Sequence, residues 1–157
     1  MIIKQLLDED FVNYKKPSMF IGFPYCTFKC DKEYGKQVCQ NSALANSQGI
    51  EISIASLIDR YINNPITEAI VCGGLEPFDT YQDLISFVTE LRKQTDDDVV
   101  IYTGYYKDEI QKQVKELSQF KNIIIKFGRF IPDQEKHYDE VLGIYLASDN
   151  QYAEKIS

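Results

Sequence analysis

The sequence predicts an α/β fold: an open partial (β/α) barrel built on a mostly parallel, curved sheet. Three observations predict it. Short apolar runs of strand length alternate with helical patterns of about 10–14 residues, the signature of a parallel sheet with right-handed crossovers. The runs number four or five, too few to close an eight-stranded barrel, so the sheet stays open. The unusual residues gather where these runs end, at the carboxyl ends of the strands, where sheets of this kind bind ligands. With 157 residues the chain is expected to form one domain, 1–157.

The elements follow in order. SMFIGF (18–23) is a buried strand stopped by Pro24, and a long polar loop carrying cysteines runs from there to about Gly49. A helix over 53–63 places Ile54, Leu57, Ile58, Tyr61 and Ile62 on one face. EAIVC (68–72) is a strand that breaks at Gly73-Gly74. The next helix, about 80–93, aligns Leu84, Phe87, Val88 and Leu91, and Asp79 three residues before Gln82 predicts a capping box. DVVIYT (98–103) is the third strand, a helix over 107–118 carries Ile110, Val114 and Leu117, and NIIIKF (122–127) is the fourth strand. The chain is then irregular through Leu142. GIYLA (143–147) reads as a short strand, and a last short helix is expected to start at the N-cap residues Ser148-Asp149. Repeats, low-complexity tracts and linkers are absent from the sequence.

Composition narrows the function. Hydrophobic residues make up 44% and charged residues 26%, the balance of a soluble globular protein. No run approaches the ~20 apolar residues that cross a bilayer. The N-terminal MIIKQLLDED mixes charge among its apolar positions and offers no secretory signal, so a cytoplasmic location without membrane association is expected. A net charge of −7 with one histidine excludes nucleic acid as a direct ligand, because phosphate binding rests on many Lys and Arg contacts. A protein partner with a positive rim is compatible with that charge.

Cys26, Cys30 and Cys39 share the polar loop with the spacing C-x3-C-x8-C, while Cys72 stands alone. In a reducing cytosol such a cluster of thiols is a metal or redox site sooner than a disulfide framework. Three thiolates suit an iron–sulfur cluster with one iron left without a protein ligand, or a zinc ion that borrows a fourth ligand. Zinc is disfavoured by the x3 spacing and by the lack of a second cysteine pair or a nearby histidine. Three free thiols without metal are the remaining reading, against which stands the polar loop, a poor place for a residue that is normally buried. Cys72 reads as a buried strand cysteine sooner than a fourth ligand. His137 reads as a solvated loop residue, and the 11 tyrosines as packing residues. In CGGLEPFD, two adjacent glycines let backbone groups approach a ligand and Glu76 offers a carboxylate to a cationic group; a plain tight turn explains the same residues equally well.

Taken together, the cysteine loop with Gln40-Asn41 after it, the GGLEPF turn, IYTGY (101–105), and GRF (128–130) with LASDNQ (146–151) carry a resemblance. The chain resembles the radical S-adenosylmethionine superfamily and, within it, the activating proteins of anaerobic ribonucleoside-triphosphate reductases. The resemblance implies a radical SAM-like fold with its cluster-binding loop at about 24–41. It implies that Cys26, Cys30 and Cys39 hold a [4Fe–4S] cluster whose open iron chelates the methionine part of S-adenosyl-L-methionine. Gly73, Gly74 and Glu76 match the motif that cradles the methionine amino group, Phe28 packs beside the cluster, and Thr103 and Lys126 line the cofactor pocket. No side chain is catalytic, since the chemistry belongs to the cofactors. An electron donor such as flavodoxin or ferredoxin reduces the cluster, the cofactor is cleaved to methionine and a 5′-deoxyadenosyl radical, and that radical takes a hydrogen from a backbone glycine of the reductase. The chain departs from the family pattern in three places. The last gap of C-x3-C-x2-C is widened by DKEYGKQV, Val38 replaces the aromatic residue before the third cysteine, and Leu75 is inserted before Glu76. Two other outcomes compete: a radical enzyme acting on another glycyl-radical enzyme or a small molecule, and a non-catalytic metal-binding or redox adaptor, which would not bind S-adenosyl-L-methionine.

Overall fold

The structure, a computed structural model, describes residues 1–157. The chain enters through β1 (Ile2–Ile3) and β2 (Gln5–Asp10), then the fully buried β3 (Ser18–Phe23). Two short helices, α1 (Lys29–Tyr34) and α2 (Ser42–Ala45), lie inside the cysteine loop, and β4 (Ile50–Glu51) closes that loop by pairing antiparallel with β1. Then follow α3 (Ile54–Ile62), β5 (Ala69–Gly74), α4 (Tyr81–Leu91), β6 (Asp98–Tyr102), α5 (Gln111–Leu117) and β7 (Ile123–Phe127). A hairpin of β8 (His137–Asp139) and β9 (Ile144–Leu146) precedes the last strand, β10 (Tyr152–Lys155).

Six strands form one open sheet in the order β10-β7-β6-β5-β3-β2. The four central strands are parallel, and the two edges, β2 and β10, are antiparallel to their neighbours. The sheet is therefore mixed and mostly parallel, and no closed barrel forms. Strand periodicity sorts the side chains onto two faces. Met19, Ile21, Phe23, Ile70, Cys72, Val99, Ile101, Ile123 and Ile125 face one core, which α3, α4 and α5 cover. Phe20, Ala69, Val71, Val100 and Ile124 face the other, where the cover is irregular chain: Tyr14 from the β2–β3 loop, and Leu142 and Leu146 from the hairpin. All three long helices thus lie on one side, and the opposite side remains open to a ligand near the strand ends.

The helices stand largely where periodicity places them. Ser53 caps α3 by accepting the Ser56 amide at 3.0 Å, and Leu57, Ile58 and Tyr61 are buried, although Ile62 at the end of the predicted stripe is 47% exposed. Several expectations are corrected. Asp79 caps nothing: α4 follows a 3-10 turn, Pro77–Thr80, and its N-cap is Thr80 without a side-chain bond. The helix expected at Ser148-Asp149 is absent. Ser148 is buried, and the chain continues into β10, whose pairing with β7 outweighs good N-cap chemistry. The charged N-terminal stretch holds two strands that its sequence does not signal, because β2 is an edge whose side chains, Asp10 aside, are exposed or only partly buried. His137 lies in β8, half-buried, with Nε2 2.8 Å from the Gln151 carbonyl, and is no solvated loop residue.

The β2–β3 loop, which covers the open face, is tied down by one carboxylate. Asp98, at the start of β6, accepts the Tyr14 hydroxyl at 3.0 Å and the Lys16 ammonium at 2.5 Å. The loop is also fixed by the Tyr102 hydroxyl, which donates to the Asn13 carbonyl at 2.6 Å, and by the Lys15 amide, which donates to Leu142 at 2.8 Å. Burial pushes the Asp98 carboxyl up, but Lys16 and Tyr14 outweigh it and leave the group below its ordinary 3.8. A carboxyl whose folded pKa is depressed stabilises the fold above its unfolded pKa, and that contribution is lost as pH falls through the folded value. Asp98→Asn is therefore expected to lower stability by about 1–3 kcal/mol at pH 7. The difference from the parent should shrink as pH is lowered below about 4, as measured by urea unfolding at a series of pH values.

Candidate functional site

The carboxyl ends of the four parallel strands meet a cavity of about 330 Å³ on the face away from the helices. Its walls come from six segments. The cysteine loop supplies Cys26, Cys30, Cys39, Gln40 and Asn41, and the end of β5 with the turn after it supplies Gly74, Leu75 and Glu76. The ends of β6 and β7 supply Tyr102, Thr103, Gly104, Lys126 and Gly128. The C-terminal strap adds Phe130, Ile144 to Ala147 and Gln151, and the β2–β3 loop adds Val12 and Asn13. The structure therefore brings Cys26, Cys30, Cys39, Gly74, Glu76, Thr103 and Lys126 to one cavity. Phe28 and Gly73 stand outside its lining. Gly73 is buried in β5, where an added Cβ would come 3.2 Å from the Phe20 ring. Phe28 acts through its backbone: in the left-handed region at φ 54°, it starts α1 and donates its amide to Cys26 Sγ at 3.2 Å.

The turn after β5 needs its second glycine. Gly74 has φ +80°, and a Cβ there would lie 2.8 Å from Gly22 Cα on the adjacent β3. The inserted Leu75 is buried, its amide bonded to Phe23, and the Glu76 amide is held by the Tyr25 carbonyl at 2.8 Å. These bonds stitch the turn to the start of the cysteine loop. The Glu76 side chain is buried and serves three donors. Oε1 accepts the Phe78 amide at 3.1 Å and the Thr103 hydroxyl at 2.8 Å, and Oε2 accepts the Gly104 amide at 2.9 Å. Burial pushes this carboxyl up to about 7 despite those bonds. Burial likewise brings the Lys126 ammonium down to about 8, against the pull of Glu76 and Cys30; its Nζ donates to the Gly128 carbonyl at 3.1 Å.

Two aspartates that the sequence reading did not place at the site hold the cysteine loop. Asp79 Oδ2 accepts the Thr27 amide at 2.8 Å and its Oδ1 accepts the Tyr105 hydroxyl at 2.5 Å, fixing the chain beside Cys26. Asp31 accepts two amides at the far end of the loop. Arg129 adds an ionic brace. Its guanidinium donates to both Glu109 oxygens at 2.8 and 2.6 Å, and its Nε lies 2.9 Å from Glu33 Oε1 in α1, outside hydrogen-bonding alignment. The segments GRF and LASDNQ form one unit, since the Arg129 carbonyl accepts Asn150 Nδ2 at 2.8 Å and the Gln151 amide side chain reaches the Gly128 carbonyl at 3.4 Å. An acidic residue directly after a cysteine was the available signal for Asp31; the contacts of Asp79, Glu33 and Glu109 are set by tertiary placement and leave no local pattern.

Three thiols lining one cavity are the donor set of an iron–sulfur cluster with one iron free of protein ligands. Burial pushes the Cys26 thiol up to about 12 and the Cys39 thiol above its ordinary value, while the Phe28 and Asn41 amides pull against it. Such thiols bind iron with release of protons. A tetrahedral zinc with bonds of about 2.3 Å needs its sulfurs within roughly 4 Å of one another. No group of three Cys, His, Asp or Glu side chains is placed to hold a single metal ion. A larger inorganic cluster spans wider thiol separations. Cys72, the fourth thiol, is fully buried in the helix-covered core and turned away from the cavity, so three thiols are what the site offers.

The fold and the site define an α/β iron–sulfur protein whose thiols sit at the carboxyl edge of its sheet. Residues 18–152, from β3 to the first residue of β10, match the 4Fe-4S single cluster domain, and the chain belongs to that family. No curated protein and no solved structure matches the chain. No helix is long and apolar enough to cross a membrane.

Glu76→Gln places an amide NH2 against an N–H or O–H donor in either orientation. The substitution is expected to cost about 1–3 kcal/mol, seen as a lowered unfolding midpoint in the protein before cluster loading, whereas Thr103→Ser, which keeps the hydroxyl, should cost less.

Proposed function

We propose that this chain is a radical S-adenosylmethionine activase that generates a glycyl radical on an anaerobic ribonucleoside-triphosphate reductase. The observation that carries the reading is the convergence of three thiols, the Gly74 turn and Glu76 on one cavity at the carboxyl edge of a parallel sheet. The 4Fe-4S single cluster family is one associated with radical S-adenosylmethionine chemistry. On this reading the sheet is the open partial barrel of that superfamily, with the cavity on its inner face.

Cys26, Cys30 and Cys39 would hold a [4Fe–4S] cluster, which would supply the electron for reductive cleavage of S-adenosyl-L-methionine at its sulfonium. The chain's own residues bind and orient. Gly74, whose φ of +80° lets the turn lie against β3, shapes the carbonyls of that turn to accept the amino group of the methionine part. Glu76 holds Thr103 and the Gly104 amide in the wall and sets a negative charge behind them. Lys126 offers a cation to the methionine carboxylate. Phe28 fixes the thiol of Cys26 through its amide. Leu75, Phe130 and Leu146 give the cavity an apolar lining that excludes water and competing hydrogen donors.

At about 330 Å³ the cavity is at the low end of the range for small-molecule sites. A bound cofactor fills it, so the hydrogen donor must come from outside. Two of the cavity's lining residues, Val12 and Tyr145, are 72% and 66% exposed, and on this reading the partner covers them. The partner on this reading is the glycyl-radical subunit of the reductase, with flavodoxin or ferredoxin as electron donor.

The test is anaerobic reconstitution with iron and sulfide, then EPR of the reduced protein with and without S-adenosyl-L-methionine. A [4Fe–4S] signal that changes on adding the cofactor and is lost in Cys39→Ala is expected. A cluster indifferent to the cofactor sinks the radical reading in favour of a redox adaptor. Failure to form a glycyl radical on purified reductase, with a cofactor-responsive cluster present, removes the substrate assignment alone.

A further inference from the structure

The spacing between Cys30 and Cys39 is long, and a thiol at the end of an eight-residue gap has many positions open to it unless the chain is closed locally. The gap is closed. α1 runs through its first half, and Gly35, at φ +82°, ends the helix with its amide on the Asp31 carbonyl at 2.9 Å. The chain then reverses. A single oxygen, Asp31 Oδ1, accepts the Val38 amide at 2.7 Å and the Cys39 amide at 2.8 Å. Beyond it, the Ser42 hydroxyl donates to the Cys39 carbonyl at 2.6 Å, and the Asn41 amide donates to Cys39 Sγ at 3.4 Å. Asp31 directly follows Cys30, so the backbone of the third cysteine is bonded to the residue next to the second.

We infer that Asp31 is the positioning residue of the third thiol: its carboxylate folds the Cys30–Cys39 segment so that Cys39 is presented with Cys26 and Cys30, in place of a short inter-cysteine turn. The inference rests on the assignment of the three cysteines as cluster ligands. Asp31 touches neither cluster nor cofactor; it acts through the Cys39 backbone. Charge-assisted bonds from a carboxylate to amides are among the stronger local constraints available to a loop. Glu33, two residues on, faces Arg129 and braces the outside of the same helix, so the segment is held at both faces.

The geometry makes a discriminating prediction. Because one oxygen accepts both amides, Asp31→Asn can keep the turn with its side-chain carbonyl, whereas Asp31→Ala cannot. In the protein before cluster loading, hydrogen exchange of the Val38 and Cys39 amides is expected to speed up on the order of tenfold or more in Asp31→Ala and little in Asp31→Asn. After reconstitution with iron and sulfide, Asp31→Ala should hold substoichiometric iron and show a broadened or lost EPR signal, and Asp31→Asn should match the parent. Circular dichroism of each variant separates this from unfolding. Unchanged exchange in Asp31→Ala overturns the inference, as does faster exchange with full iron content and an unaltered signal. If Asp31→Ala unfolds, Asp31→Ser, whose hydroxyl is one bond short of the two amides, takes its place: faster exchange of Val38 and Cys39 with iron lost supports the turn, and parental exchange overturns it. A Cys39→Ala protein with an unaltered cluster signal removes the ligand assignment, and the exchange data then still report whether Asp31 closes the loop.

Discussion

One buried carboxylate joins the parts of this site. Glu76 leaves the turn after β5, reaches across to the end of β6, and accepts from Thr103 and Gly104 while capping the 3-10 turn that leads into α4. Strands, turn and helix entry are set relative to one another by three hydrogen bonds to a group with almost no access to water. The arrangement works because each oxygen meets only donors. It also leaves a charge in a medium that disfavours it, which burial reports by pushing the carboxyl up and the neighbouring Lys126 ammonium down. The two groups line one cavity, and each lies in the other's field without an ion pair between them.

Much of the central fold was legible because its signals are local. SMFIGF, DVVIYT and the apolar run through Ile123–Phe127 read as strands since both of their faces are buried. The stripes of α3 and α4 were visible because only one face of each helix meets the sheet. The edges were not legible. QLLDED and YAEK form strands through pairing with a neighbour, a contact that leaves no hydrophobic pattern in their own residues. Ser148 and Asp149 carried the right chemistry for a helix start, but Ser148 is spent on the buried strap instead, where its hydroxyl takes the Ile131 amide.

The candidate site divides along the same line. The cysteines and glycines could be found because their residue types are unusual where strands end. Asp79, Glu33 and Glu109 could not, since an acid in a polar stretch looks the same whether it is solvated or bonded to a distant partner. Asp79 shows this well: its neighbours in sequence suggest a cap, and its partners in space are Thr27 and Tyr105. The widened cysteine gap looked like a departure from a pattern, and in space it is a helix with a reversed end.

The two outer strands bear on how other proteins meet this one. β2 has an irregular register between Leu7 and Asp10 and shows acids along its length, and β10 is four residues long with Glu154 engaged by Lys107. Short, kinked, charged borders discourage the addition of a foreign strand, so the sheet is poorly made for growth by edge-to-edge pairing. With its borders guarded and one face under helices, the sheet stays accessible chiefly at the carboxyl ends of its parallel strands, on the face that carries the cavity.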